Sequence, residues 1–294
     1  MAIFLGTGAS QVFPCPFCKC PVCENAREIR GKAIKTRSDF LIDEHSVIDF
    51  GPDILCQMLT ANVMMDKINN VFMTHSHFDH ISISSLLLLN EGTGARTTPI
   101  NFFGPKGALD FVEDMARRNT YRSGTRKGIY SYSHLKYCPL DYFETVETDG
   151  IRVTTLKSSH EGWGENELGF NYIVEKDGKT LLYATDTGWY PDDTWEFLQK
   201  SDFKFDYVIM ENTYGKDPRN IIKLYAGGHL NTTNFFMMLD KLVECGCMTV
   251  DTPVYATHIA DAGREPYGEL VDAIENNGKY TNVQVAYDTQ KLDF

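Results

Sequence analysis

The chain has 294 residues and a mass of 33.3 kDa, and 43% of its residues are hydrophobic. It can bury a sizeable core, as one large α/β domain or two small ones, and no apolar run approaches the roughly 20 residues that span a bilayer. Lys and Arg number 28 against 40 Asp and Glu, a formal net charge of −12, which argues against general affinity for long nucleic acids, because their binding depends on neutralising phosphates.

The opening MAIFLGTGAS has neither a basic n-region nor a signal-peptide h-region, so a cytoplasmic protein is expected. Ala2 to Leu5 is a predicted short strand closed by Gly6-Thr7-Gly8, where glycine permits positive φ or close backbone approach. No Gly-Lys-Ser/Thr follows, so this is not a Walker loop. Four of the eight cysteines fall in one segment, Cys15, Cys18, Cys20 and Cys23. Such clustering reads as metal binding, since a disulfide framework would spread its cysteines more evenly. Phe40–Ile42 and Val47–Ile48 form a predicted hairpin. Asp49-Phe50-Gly51-Pro52-Asp53 then opens a helix, with Pro52 in its first turn, expected to run to about Lys67.

The apolar run Val71-Phe72-Met73 reads as a buried strand leading into Thr74-His75-Ser76-His77-Phe78-Asp79-His80. Three histidines and one aspartate stand within six residues there. A strand end that opens into a loop can splay alternate side chains towards one point. Imidazoles and a carboxylate suit Zn²⁺ or a similar first-row cation. All four would crowd a single ion, so the pattern suggests two neighbouring metals.

A helix is predicted over Ile81–Asn90, a strand over Pro99–Phe103 and a helix over Gly107–Arg118. The stretch 117–127 carries five cations and no acid. It reads either as a solvated helix end or as a phosphate-facing loop. Further strands are predicted over His134–Leu140 and Ile151–Leu156. Three apolar β runs each deliver one ligand-type residue at their end. These are Thr154–Ser159 before His160, Leu181–Ala184 before Asp186, and Val254–Thr257 before His258. Any one of the three is an ordinary turn residue, but together with the first motif they form a specific set. Val208–Met210 likewise ends in Glu211, and Gly227-Gly228-His229-Leu230-Asn231 precedes an apolar helix from near Thr232. Trp163 and Asn166, in the polar loop after His160, are candidates for a pocket wall. Met64-Met65 and Met237-Met238 read as core, and His45 and His134 receive no role. No repeat, low-complexity tract or linker divides the chain. A single domain over 1–294 is expected, with a Cys-rich loop at about 13–25.

The H-x-H-x-D-H pattern of His75, His77, Asp79 and His80, followed by His160, Asp186 and His258, resembles the metallo-β-lactamase superfamily over nearly the whole chain. The resemblance implies an α/β fold, a four-layer αββα sandwich with its site at one edge between the sheets. It implies two divalent ions, zinc, manganese or iron. His75, His77 and His160 would hold the first, Asp79, His80 and His258 the second, and Asp186 would bridge them beside a bridging hydroxide. Asp49 would support the metal loop from behind. In the phosphodiesterase branch, which includes tRNA 3′-processing endonucleases and the carbon–phosphorus lyase accessory phosphodiesterase, a Gly-His-Leu/Met segment supplies a catalytic histidine. His229 stands at that place, with Glu211 to orient it. The Gly-Thr-Gly start and the C-x-C-x-x-C of Cys18, Cys20 and Cys23 are similar to the accessory-phosphodiesterase group. That group completes a structural zinc site with a histidine where this chain has Asp261. A thiolate is the softer ligand, so Cys15 is expected to close a Cys₄ site. Four reduced, unmetallated thiols are the alternative.

The resulting expectation is a dinuclear-metal hydrolase acting on small or cyclic phosphodiesters or short nucleotides. It would carry one additional structural zinc. No membrane partner is expected, and a homodimer is left open. The alternatives are a tRNA 3′-processing endoribonuclease, or a non-hydrolytic metal-binding protein of cofactor biosynthesis. The acidic balance and the lack of a long basic, Gly-rich arm count against the first of these.

Overall fold

A computed structural model describes residues 1–86, 99–122, 135–217, 228–260 and 265–294. Strand side chains alternate between two faces, and in this chain both faces are apolar. In β1 (Ala2–Gly6) Phe4 points one way and Leu5 the other. The same division holds for Phe40 and Leu41 in β2 (Asp39–Leu41) and for Phe72 and Val71 in β4 (Asn70–Phe72). Sheets buried on both faces need a layer on each side.

The remaining strands are β3 (Ser46–Ile48), β5 (Ile100–Pro105), β6 (Leu135–Leu140), β7 (Thr145–Thr148), β8 (Ile151–Glu161), β9 (Leu168–Lys176), β10 (Lys179–Ala184), β11 (Tyr207–Glu211), β12 (Val254–Thr257), β13 (Val283–Val285) and β14 (Lys291–Leu292). They form two seven-stranded sheets, ordered β14-β1-β2-β3-β4-β5-β6 and β13-β12-β11-β10-β9-β8-β7. Both are mixed. Strands β3 to β6 run parallel to one another, as do β10 to β13, and the other pairings are antiparallel. Phe4, Phe40 and Phe72 meet Tyr172, Leu181 and Tyr183 between the sheets, with the Phe40 and Tyr183 rings 5.5 Å apart. Helices α2 (Ile54–Ala61) and α3 (Lys106–Arg122) cover the outer face of the first sheet through Ile54, Met58, Leu109 and Val112. Helices α4 (Asp192–Lys200), α5 (Thr232–Glu244) and α6 (Tyr267–Glu275) cover the second through Leu198, Phe235, Met238 and Leu270. The architecture is the expected αββα sandwich. Among the described residues no helix is long and apolar enough to cross a membrane.

Several elements differ from the sequence expectation. Helix α2 ends at Ala61 rather than Lys67, because Asn62 turns left-handed at φ 55° and the Val63 amide closes on the Met58 carbonyl, a Schellman-type stop. Met64 is consequently 74% exposed instead of lying in the core. Strand β8 continues past Leu156 to Glu161. The segment read as a Cys-rich loop contains α1 (Pro21–Ile29), with Pro21 in its first turn, where its missing N–H costs nothing. Gly6 and Gly8 are needed for close approach rather than for positive φ. A Cβ on Gly6 would lie 1.8 Å from the Arg37 carbonyl oxygen. Of the helix expected over 81–90, residues 83–86 are helical, Ile81 instead bridges to Phe50, Ser82 precedes the helix, and 87–90 fall outside the described residues. So do His134, Gly227, Asp261 and much of the basic stretch. Its first two cations, Arg117 and Arg118, pair with Glu113 and Asp114 on an exposed face of α3.

Candidate metal centre and active site

Parallel pairing of β3 and β4 carries Asp49 up beside the start of the histidine motif. One Asp49 oxygen accepts from the Thr74 amide at 2.8 Å and the Thr74 hydroxyl at 2.9 Å. The other faces His80 Nδ1 at 2.7 Å. Asp49 and His80 are fully buried. Burial raises the pKa of Asp49, and the neighbouring imidazole restrains the rise. The carboxylate makes Nδ1 of His80 a donor and directs Nε2 into the site. Burial would lower the His80 pKa, but Asp79, Asp186 and Asp49 hold it well above the usual histidine range.

Three imidazoles meet first. His77 Nδ1 lies 3.0 Å from His75 Nε2 and 3.1 Å from His160 Nε2. His160 Nδ1–H donates to the Gly228 carbonyl at 3.1 Å, which leaves its Nε2 as a lone pair. Burial and the crowding of like groups push His75 well below the usual histidine range and His77 down to about 4. These rings are neutral at physiological pH, the form that binds a cation.

A second group adjoins it. Asp79, His80, Asp186 and His258 bring their ligand atoms within 4.8 Å of one another. His80 Nε2 lies 3.0 Å from Asp186 Oδ2, and His258 Nε2 lies 2.9 Å from Asp186 Oδ1. Asp186 Oδ2 is also 3.4 Å from His75 Nε2 and 4.0 Å from His160 Nε2, so this one carboxylate reaches both groups. His80 Nε2, His258 Nε2 and Asp186 Oδ1 are buried, and despite these short separations none makes a well-aligned hydrogen bond among the described residues. Orphaned buried polar atoms are destabilising one by one, and three aimed at a common point fit a bound cation. Burial would raise the carboxyl of Asp79, but His80 and His258 hold it far below the usual range. His258 is lowered by burial and raised more strongly by Asp186, to about 10.

The end of β11 supplies the remaining polar anchor. Glu211 is fully buried. Its carboxylate accepts from the Thr187 amide at 2.5 Å, the Leu230 amide at 3.2 Å, the Thr213 hydroxyl, and His229 Nδ1 at 3.0 Å. The Thr213 oxygen accepts in turn from His258 Nδ1 at 2.8 Å. One carboxylate thus orients His229 directly and His258 through a hydroxyl. Burial lowers the pKa of His229, and Glu211 with Asp186 more than restores it, to a value above the ordinary one. The His229 ring borders the same cavity as Asp79, Asp186 and His258.

Residues 46–259 match the family model described as the Beta-lactamase superfamily domain. The chain belongs to this superfamily. Ribonuclease Z of Enterococcus faecalis is 32% identical over 152 residues, half of this chain and 39% of that protein. Ribonuclease BN of Proteus mirabilis is 30% identical over 139 residues, 45% of this chain and 40% of that protein. The chain thus spans about two fifths of the length of these relatives. Among solved structures, Zn²⁺-bound PqqB from Methylobacterium extorquens superposes with a TM-score of 0.72 at 17% identity, covering 100% of this chain and 99% of that one. A diphosphatase from the PhnP family gives 0.71 at 20% identity over 100% and 98%. Human tRNase Z, short form, gives 0.63 at 18% over 99% and 98%. At these identities the structural likeness shows the fold. The chain is a protein of the metallo-β-lactamase fold whose histidine and aspartate cluster can hold metal.

Two supporting residues stand outside the sequence motifs. Thr213 is one. It stands two residues beyond Glu211, the spacing that returns a side chain to the same face of an extended segment, which was the available signal. The other is Glu167, which takes the Ser76 amide at 2.7 Å and the Ser76 hydroxyl at 2.5 Å. Ser76 Oγ accepts from the Trp163 and Gly164 amides at 2.7 and 3.0 Å. The loop after His160 is therefore fastened to Ser76, the residue between His75 and His77 of the cluster. Trp163 borders the cavity lined by His77, Asp186 and His258, whereas Asn166 borders an adjoining one.

The cysteine segment is brought together in part. The sulfurs of Cys18, Cys20 and Cys23 converge at the N-terminus of α1. The Cys15 thiol does not join them. Its backbone carbonyl accepts from the Cys18 amide at 3.1 Å and from Arg27 at 2.5 Å. Asp261 lies outside the described residues, so the geometry on hand presents three thiols rather than four ligands. Burial pushes the Cys23 thiol far up, which a cation would reverse by replacing the proton. Phe13, Val22, Ala26 and Ala33 give this segment its own small core, packed against Tyr267 of α6.

Proposed function

We propose that the chain is a dinuclear-metal phosphodiesterase acting on small or cyclic phosphodiesters or short nucleotides. His75, His77 and His160 would hold one ion, Asp79, His80 and His258 the other, and Asp186 both. Two such ions, when bound, neutralise a phosphoryl oxygen and supply a nucleophile at neutral pH.

The observation that carries the reading is the pairing of His229 with Glu211. A histidine whose Nδ1 is committed to a buried carboxylate offers its Nε2 to the cavity in a fixed orientation. The carboxylate also favours the imidazolium. That is the arrangement of a general acid, which would give its proton to the alkoxide departing from phosphorus. Asp49, the Gly228 carbonyl and Thr213 orient His80, His160 and His258, so the ligand ring nitrogens need little reorganisation. A thioesterase would have no evident use for His229, since a thiolate leaves without a proton. The net charge of −12 favours a compact substrate over a long polyanion.

A second reading, tRNA 3′ processing, is favoured by the relatives named ribonuclease Z. It uses the same chemistry on a larger substrate. The test loads purified protein with Zn²⁺ or Mn²⁺ and compares bis(p-nitrophenyl) phosphate with p-nitrophenyl phosphate, a lactone, a β-lactam and a precursor tRNA. Faster turnover of the diester than of the monoester, lactone and β-lactam is expected. Turnover of the lactone with none of the diester would overturn the proposal. Efficient cleavage of the precursor tRNA would select the second reading.

A further inference from the structure

The metal cavity, of about 280 Å³, opens beside a larger one of about 540 Å³, and Trp163 borders both. Its backbone is held more tightly than a surface loop requires. Besides the Ser76 bonds, the Gly164 amide donates to Glu167 at 2.7 Å. A Cβ on Gly162 would lie 2.2 Å from the Glu167 carboxylate, and one on Gly164 2.4 Å from the Gly107 backbone. Neither glycine accepts a side chain without displacing Glu167 or the Gly107 backbone. Yet this fixed loop holds its indole outward, with Trp163 54% exposed, and beside it Phe78, within the metal motif, is 48% exposed.

Single exposed apolar residues are ordinary. These two are not single. Their rings stack at 5.8 Å with planes 28° apart, and the Trp163 ring lies 5.3 Å from that of His77. Both border the cavity that His229 and Asp186 line. A rigid, flat, apolar surface at the mouth of a phosphoryl site suits a planar ring carried by the substrate. The adjoining cavity sets the other limit. Asp110, Asp141 and Glu165 border it, and its one described cation, Lys106, is paired with Asp110 at 2.5 Å. A further phosphate entering there would face carboxylates.

We propose that Trp163, with Phe78, is the platform on which the base of a single nucleoside stacks when that nucleoside is esterified at the reacting phosphate. The acidic cavity beyond Trp163 ends the substrate at that nucleoside. The assignment rests on the phosphodiesterase reading for its reaction, but the platform itself is testable by binding.

The test compares two diesters with the same reacting group, the methyl esters of adenosine 5′-phosphate and of glycerol phosphate. The nucleoside ester should show a KM about tenfold or more lower, the usual scale of base–aromatic stacking. Trp163→Ala should collapse that ratio, and Trp163→Phe, which keeps a flat ring, should preserve most of it. A 3′-phosphate on the nucleoside should raise KM. In parallel, adenosine 5′-monophosphate should quench indole fluorescence saturably in the wild type and not in Trp163→Phe. An unchanged ratio in Trp163→Ala, or no saturable quench, overturns the platform. A lower KM for the 3′-phosphorylated ester overturns the single-nucleoside limit. Preference for a choline methyl phosphate over both esters would give the ring and carboxylates to a cation and overturn the proposal. Saturable, Trp163-dependent quenching without turnover of either diester would support the platform and count against the phosphodiesterase reading alone.

Discussion

Both oxygens of the Glu211 carboxylate lie 3.0 Å from Nδ1 of His229. The same carboxylate takes the Thr213 hydroxyl, which receives His258 Nδ1. One buried acid therefore serves the proposed proton donor and one proposed metal ligand. The two roles separate by mutation. His229→Ala should lower kcat by about 10²–10⁴-fold, the usual worth of general acid catalysis, with metal content intact. The defect should shrink with p-nitrophenolate, a leaving group that needs little protonation. Glu211→Gln should lower kcat and also weaken metal retention, because it alters the support of His258. Metal analysis beside turnover of an alkyl and a p-nitrophenyl diester checks both, and loss of metal from His229→Ala would place that ring in the coordination shell instead.

Asp186 approaches both ligand groups, with Oδ2 3.0 Å from His80 and 3.4 Å from His75. Asp186→Ala should therefore lose both metals or bind them weakly. Asp79 lies 3.3 and 3.7 Å from His80 and His258, in the second group rather than the first, so Asp79→Ala should mainly empty the second site. Asp49→Ala removes no proposed ligand and should lower affinity by about 10–100-fold through a freed His80 ring. Equilibrium dialysis against a metal buffer measures all three. Two full equivalents retained in both Asp186→Ala and Asp79→Ala would refute the ligand assignment.

The convergence of the proposed ligands was legible in the sequence because each follows or ends an apolar strand, and strand ends at one edge of a sandwich converge. His160 follows most of β8, Asp186 closely follows β10 and His258 follows β12. Glu211 was legible for the same reason. The supports were harder to see, since they join distant segments. Ser76 and Glu167 are 91 residues apart, and no local pattern announces that pair. Asn62 shows a different limit. The apolar pattern runs on through Val63, Met64 and Met65, but Asn62 turns left-handed and the Val63 amide caps the Met58 carbonyl, so the stop lies in one residue's backbone and not in the periodicity. For the cysteines, spacing alone made Cys15 equivalent to the others. Only the start of α1 at Pro21 distinguishes the three sulfurs gathered at its N-terminus.

That distinction gives the third prediction. Cys18→Ser, Cys20→Ser and Cys23→Ser should each lose a zinc ion that is not part of the active-site pair, and each should lower thermal stability. Cys15→Ser should retain it, because the structure uses the Cys15 carbonyl and leaves its thiol outside the group. The segment packs through Val22 and Ala26 against Phe13 and Tyr267, and Ala9 just before it pairs with Ile259, the residue after His258. Loosening it should also reduce active-site metal affinity. Zinc stoichiometry and melting temperature of the four variants decide the matter. Equal zinc loss in Cys15→Ser would restore a four-thiolate site.

Lys35 supplies a test that is independent of metal chemistry. It is 1% exposed, and its ammonium donates to the Ala286 carbonyl at 2.5 Å and lies 3.4 Å from the Thr7 hydroxyl. Thr7 and Thr36 also hold Asp288, so this cluster joins the end of the first strand to the turn near the C-terminus. Burial pulls the Lys35 pKa from 10.5 down to about 8, against the attraction of Asp288. Below about pH 8 the lysine is protonated in both folded and unfolded chains, and the burial penalty is fully present. Between about 8 and 10.5 the unfolded chain holds more protons than the folded one, so this group makes stability rise with pH. The gap corresponds to about 3 kcal/mol. Lys35→Met keeps most of the volume but cannot titrate, and the Ala286 carbonyl it leaves unpaired adds an offset that does not vary with pH. Urea unfolding of both proteins at matched metal loading should show the wild type gaining on the variant by up to about 3 kcal/mol from pH 7 to pH 10.5. A difference that stays flat across that range would mean that the folded protein does not depress Lys35, and that its charge is better compensated than the single carbonyl and the Asp288 carboxylate allow.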